Sequence, residues 1–276
     1  MTKEEARAQF QELISRRDSM LELDRAALLI AAEEYPQLEV EHYLRQLDAF
    51  AEAAKVGNDS SPYYRIQRIN QVLFDELGFH GNAGNYYDAR NSFLNEVMER
   101  RTGIPITLSV IYLEVARRMG INLFGVGMPG HFLVKYSDEE EEIFIDPFHN
   151  GRILTVDQCR EMIFKMYEGK MEFQLAFLRA VTKKQILTRM LQNLKGVYAR
   201  ALAHHKTLSV IERVLLITPA SATELRDRGL VFWGMKLYVQ AQADLEEYLR
   251  RNPAAEDSEE IKKRLLHVKH RLAQWN

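Results

Sequence analysis

The chain has 276 residues, 46% of them hydrophobic and 28% charged, and 37 basic against 39 acidic side chains leave a net charge of −2. That length suits one large domain or two to three small ones. The charge balance excludes the clustered basic excess on which nucleic-acid or anionic-membrane binding depends. With only 14 glycines and 7 prolines the chain favours helix, and its single cysteine, Cys159, excludes a disulfide framework or a multi-cysteine zinc site. No apolar run approaches the ~20 residues of a membrane span, and the polar start at Met1-Thr2-Lys3-Glu4-Glu5 lacks a signal peptide's apolar stretch. A cytoplasmic protein is expected, with neither a membrane nor a nucleic acid among its partners.

Residues 1–56 read as helices. Pro36 stops a first apolar run through Ala27, Ile30 and Ala31, and a second helix is expected from about Glu39 to Lys55, with Val40, Tyr43, Leu44, Leu47 and Phe50 at helical spacing. Residues 57–62 form a turn, and helical spacing resumes over 63–78. Residues 81–88 are the richest loop composition in the chain. Asn91 or Ser92 is placed to cap a helix containing Phe93, Leu94, Val97 and Met98.

The segment from Thr102 to Gly120 carries two apolar stripes, Ile104, Leu108, Ile111 and Val115 in one and Ile106, Val110 and Leu113 in the other. A helix apolar over so much of its circumference is central to its domain. Thr102 is the expected N-cap, Pro105 sits in the first turn and Gly120 stops the helix.

The period then changes to two. Leu123 to Met128, His131 to Tyr136 and Glu142 to Asp146 are expected as strands, joined by a type II turn at Pro129-Gly130 and a wet acidic tip over 138–141. If 138–141 is the loop, Ser137 faces Glu142 and Leu133 faces Asp146. His131 then becomes a diagonal neighbour of Asp146 within hydrogen-bond reach. Phe132, Val134, Ile143 and Ile145 share the opposite face, and a one-residue slip would destroy both results at once.

From Thr155 onward helix returns. A shift of 34 residues superposes Leu191 on Leu225, Tyr198 on Phe232, Ile211 on Leu245, Leu215 on Leu249 and Pro219 on Pro253. The second copy has Gly229, Phe232, Ala241 and Pro253 at tetratricopeptide positions, and its small residues allow close helix approach. Lys195 and Thr207 make the first copy a degenerate repeat. A last helix, about Ser258 to Trp275, carries Ile261, Leu265, Val268 and Leu272 on one face and caps the stack.

A histidine oriented by a carboxylate, beside the N-terminus of a buried helix, is the layout of a Cys-His-Asp hydrolase. Gly103-Ile104-Pro105 with Ser109 and Gly120, then Gly130-His131-Phe132-Leu133-Val134, then Phe144-Ile145-Asp146-Pro147-Phe148, are similar to the transglutaminase-like core. The whole chain resembles the SirB-type family of bacterial proteins, also through Ala26 to Ala31, Tyr35-Pro36, Asn95 to Arg101 and Leu225 to Gly229. The resemblance implies an α+β, mostly helical protein. Residues 1–90 would be a helical N-terminal region, 91–180 a transglutaminase-like core with a small antiparallel sheet, and 181–276 tetratricopeptide-like repeats with a capping helix. The family takes its name from an association with regulation of bacterial invasion genes.

A transglutaminase-like enzyme opens its central helix with Gly-x-Cys, about fifteen residues before the glycine that follows. Here that slot holds Pro105, while His131 and Asp146 occupy the family's His and Asp positions. Thr107 and Ser109 lie near the slot, but their offsets of two and four residues are read as turning them away from position 105. Cys159 follows Asp146 in a different helix and reads as a small buried hydrophobe. A metal site from His131, Asp146 and His149 lacks paired ligand spacing, and neither His204-His205 nor His267 and His270 has the i, i+4 spacing, so no metal and no cofactor is expected. The dyad is read as a hydrogen bond pinning the hairpin. These readings converge on a non-catalytic interaction or regulatory protein, a pseudoenzyme binding a protein or peptide through its C-terminal repeats. The competing expectation is a hydrolase or acyltransferase on amide or ester bonds with His131 as base.

Overall fold

The computed structural model describes residues 1–57 and 60–274. The turn expected over 57–62 and the last residues of the final helix therefore lie partly outside the described residues. The chain divides into two compact units, Met1–Met190 and Leu191–Asn276, with the boundary inside one helix. No helix of the described residues is long and apolar enough to cross a membrane.

The first unit opens with helices α1 (Lys3–Ser15), α2 (Leu23–Ala32), α3 (Val40–Ala54) and α4 (Pro62–Asn70), the last continuing as a π-helical stretch over Gln71–Glu76. Short strands β1 (His80–Gly81) and β2 (Thr102–Gly103) pair in parallel on either side of α5 (Leu94–Arg100). Helix α6 (Pro105–Arg118) is buried without interruption from Pro105 to Ala116, as its double stripe requires. Its cap differs from expectation. Ile104 is the N-cap residue, and the Thr107 hydroxyl accepts the Ile104 N–H at 3.2 Å, while the Thr102 hydroxyl donates to the Arg100 carbonyl. Neither Asn91 nor Ser92 caps α5. Both are buried, and the Asn91 amide donates to the carbonyls of Asn85 and Tyr86, holding the glycine-rich loop.

Strands β3 (Leu123–Val126), β4 (Leu133–Ser137), β5 (Glu142–Asp146), β6 (Arg152–Leu154) and β7 (Ala180–Val181) form an antiparallel sheet in the order β6-β5-β4-β3-β7. The expected register holds: Ser137 pairs with Glu142, Lys135 with Phe144 and Val134 with Ile145. His131 N–H donates to the Met128 carbonyl across Pro129-Gly130, and Gly130 has φ +69°, as a type II turn demands. Phe132, Val134, Ile143 and Ile145 are buried. The other face is covered too, because Leu133, Phe144 and Leu154 pack with Cys159 and Ile163 of α7 (Val156–Met166), while α6 lies against β3 and β4.

Helices α8 (Lys183–Arg200), α9 (His204–Ile217), α10 (Ala222–Gly234), α11 (Tyr238–Arg251) and α12 (Ser258–Ala273) complete the chain. The 34-residue shift carries both ends of α9 onto those of α11, and left-handed Leu202 (φ 53°) onto left-handed Lys236 (φ 61°). At Gly229 a Cβ would come within 2.8 Å of Leu245, so the second copy's close helix approach depends on that glycine. The degenerate first copy places Lys195 there, and its ammonium is tied to Glu224 at 2.7 Å and Asp227 at 2.8 Å. Ile261, Leu265 and Val268 of α12 are buried, in two clusters with side chains of α11.

One charge cluster in the first unit sets a pH dependence. Arg118 binds Asp24 at 2.7 Å, Glu114 at 2.9 Å and Asp48 at 2.7 Å, and Arg117 binds Glu114 at 2.8 Å. Three carboxylates thus meet two guanidinium groups, and burial together with the Asp24 charge pushes the Glu114 carboxyl up to about 7. A carboxyl raised on folding contributes stability in full below its unfolded value of 4.5 and loses it as pH climbs through about 7. Wild-type chain is expected to lose roughly 1–3 kcal/mol between pH 5 and 8 relative to Glu114→Gln. Urea unfolding of both proteins across that range measures the difference, and parallel curves would refute it.

Candidate functional site

The centre of the site is Asp146, the last residue of β5, only 1% exposed. Pro147 fixes the first residue of a tight helical turn, Pro147–His149, so the chain folds back over the carboxylate. One oxygen, Oδ1, accepts the backbone N–H of Phe148 at 3.1 Å and lies 2.9 Å from His131 Nε2. The other, Oδ2, lies 2.7 Å from His149 Nδ1. Burial alone would raise this carboxyl, but the hydrogen bonds from His131 and His149 hold it down at about 2. The same bond raises His149 above its ordinary value against the opposing effect of burial.

His131 is 6% exposed. The Phe148 ring stands edge-on to both imidazoles, with centres 6.0 Å from His131 and 5.2 Å from His149. Arg189 of α8 holds the turn from behind, donating to the Met128 and His131 carbonyls at 2.9 and 2.8 Å, with its guanidinium 5.5 Å from the centre of the Phe132 ring. The pairing of His131 with Asp146 follows from strand register. His149 needs the tight turn after Asp146, three residues on. Arg189 comes from 58 residues beyond His131 and has no local signature.

Pro105 is the first residue of α6 and is buried. The Thr107 hydroxyl is committed to the cap and donates to the Asn91 carbonyl at 2.8 Å. Contrary to the expectation from its offset, Ser109 stands one helical turn from Pro105 on the same side. Its burial sets it apart instead: it is 0% exposed, and its hydroxyl has no hydrogen-bond partner among the described residues. Cys159 lies in the apolar cluster with Leu133 and Phe144, where burial, joined by the nearby Asp146 charge, pushes its thiol up to about 11. No hydroxyl or thiol of the described residues is hydrogen-bonded to His131. Ligand atoms of His131, Asp146 and His149 all lie within 4.8 Å of one another, so these three could hold a metal ion.

A buried helix start, an adjacent antiparallel sheet and a His–Asp pair at the ends of its strands define a transglutaminase-like domain, here followed by tetratricopeptide-like helices. Residues 41–192 match the transglutaminase-like superfamily, and residues 194–266 match the tetratricopeptide repeat. A UPF0162 protein of Xylella fastidiosa (strain 9a5c) is 36% identical over 262 residues, 93% of each chain. Another, from Pseudomonas aeruginosa, is 30% identical over 81% of this chain and 82% of its own. The chain belongs to the UPF0162 family, the SirB-type members of the transglutaminase-like superfamily. F-box only protein 21 of Mus musculus is 39% identical over 143 residues, covering 49% of this chain and 22% of that protein. No solved structure matches the chain.

Proposed function

We propose that this protein is a non-catalytic interaction or regulatory protein, built on an inactive transglutaminase-like domain with tetratricopeptide-like repeats for docking a protein or peptide in the cytoplasm. One observation supports the reading: the buried first residue of α6, where the resemblance would place a nucleophile, is Pro105, which has no reactive atom. Thr107 is committed to a helix cap, Ser109 is enclosed, and Cys159 is buried in an apolar cluster with a raised pKa. Helical repeats commonly present surfaces to an extended or helical partner. In the second unit Leu202, Val239 and Leu266 expose 73%, 68% and 70% of their surface. An intact His131–Asp146 hydrogen bond favours the second reading, a hydrolase or acyltransferase with His131 as base.

Two experiments separate them. Purified chain is expected to turn over no member of a panel of amide and ester substrates. Turnover abolished by His131→Ala would overturn the proposal. A protein retained in stoichiometric amount from native lysate by wild type, and lost with Leu202→Asp, would support docking through the repeats.

A further inference from the structure

We infer that His131, Asp146 and His149 together bind one divalent transition-metal ion. Two imidazoles and one carboxylate form a donor set suited to zinc, iron, cobalt or nickel, whereas calcium and magnesium prefer all-oxygen surroundings. Pinning the hairpin requires only the His131–Asp146 bond. It leaves unexplained a second imidazole brought to the other oxygen of the same carboxylate at 2.7 Å from a side chain that is 55% exposed.

An ion is seated once both imidazoles turn, because each inner nitrogen now points at a carboxylate oxygen. An ion about 2.1 Å from an imidazole nitrogen lies about 3.2 Å from that ring's centre, so two ligating rings have centres no more than about 6.4 Å apart. Those of His131 and His149 are 5.8 Å apart. Around a tetrahedral ion neighbouring ligand atoms are separated by about 3.4 Å, so the contact to the ligating carboxylate oxygen must open by roughly half an ångström or more, and the donor atoms, now within 4.8 Å of one another, must gather around the ion. Asp146 is anchored from behind by the Phe148 N–H, and Phe148 walls the site edge-on.

Proton bookkeeping also permits it. The outer nitrogens, Nδ1 of His131 and Nε2 of His149, make no hydrogen bond among the described residues. A neutral ring can therefore move its proton from the inner to the outer nitrogen, and the inner lone pair goes to the metal. The exposed side of His149 provides the way in and leaves a coordination position for water.

This inference is independent of the docking proposal. It is tested on the full chain freed of metal by a chelator, then titrated with Zn²⁺ by calorimetry and with Co²⁺ by visible absorption. The expected result is saturation at one ion per chain and a Co²⁺ spectrum with nitrogen and oxygen donors. His149→Ala is expected to weaken binding at least about tenfold with an unchanged circular dichroism spectrum, since that residue is half exposed. Asp146→Asn should act in the same direction. His204→Ala and His205→Ala should leave binding unchanged. Absence of saturable binding near one equivalent, undiminished affinity in His149→Ala, or loss in the His204 or His205 variants would each overturn it.

Discussion

Arg118→Leu is expected to cost the first unit about 3–5 kcal/mol. Arg118 is 12% exposed at its side chain and reaches three elements at once, binding Asp24 of α2, Asp48 of α3 and Glu114 of its own helix α6. Asp24 and Glu114 are themselves 4% and 2% exposed. Removing the guanidinium leaves two buried carboxylates sharing Arg117, which lies 3.5 Å from Asp24 and 2.8 Å from Glu114. Breaking a buried network by deleting one partner is far costlier than never having built it, because the remaining charge has lost both water and counter-ion. If that is the origin of the loss, adding Asp24→Asn should restore a large share of it. If the loss came only from missing packing, the second change would make matters worse. Both tryptophans lie beyond residue 190, so urea unfolding of the first unit is followed by circular dichroism. A single-variant loss below about 1 kcal/mol, the scale of an exposed ion pair, would refute the argument.

What could be read from the chain alone divides along the range of the interactions. Hairpin register was legible because side-chain alternation and an acidic tip fix it within sixteen residues, and the His131–Asp146 bond follows from that register. The repeat was legible because its helices recur at a constant spacing, down to the left-handed residues Leu202 and Lys236. Caps were read less well. Thr102, Asn91 and Ser92 have the chemistry of caps, but tertiary structure places Asn91 across the glycine-rich loop and gives the α6 cap to Thr107, from inside the helix. Strands β6 and β7, three and two residues long, are too short to show alternation. Burial of both faces of β4 and β5 depends on α7, which no local pattern ties to them. At the site, the sequence considered His149 only as one of three metal donors and assigned Arg189 no role. The first needs the turn after Asp146, and the second a helix from the end of the unit.

Gly151→Ala is expected to cost about 3–4 kcal/mol and to dislodge His149 from Asp146. Gly151 has φ +72°, where an L side chain carries roughly 1–3 kcal/mol of strain. A Cβ there would overlap Asn70 Oδ1 and come within 2.7 Å of Phe74 Cε2. Overpacking of that kind adds about 1–3 kcal/mol. Asn70 has little freedom to retreat. Its Oδ1 accepts the Tyr112 hydroxyl at 2.9 Å, its amide donates to the Gly151 carbonyl at 2.9 Å, and Tyr112 is fully buried on α6. The strain must instead move the loop, whose Gly151 N–H is bonded to the Asp146 carbonyl at 2.9 Å. A double variant, Asn70→Ala with Gly151→Ala, separates the two contributions. Asn70→Ala alone itself loses the bonds to Tyr112 and Gly151. Measured against it, the added Gly151→Ala change should cost roughly half of what it costs in wild type, because the overlap with Asn70 is gone and the backbone strain remains. No added cost would mean that the left-handed backbone costs nothing here, and the full wild-type cost would mean that Asn70 is not the obstacle. The imidazole resonances of His149 report on the site itself: they should shift in the single variant and return toward wild type in the double one.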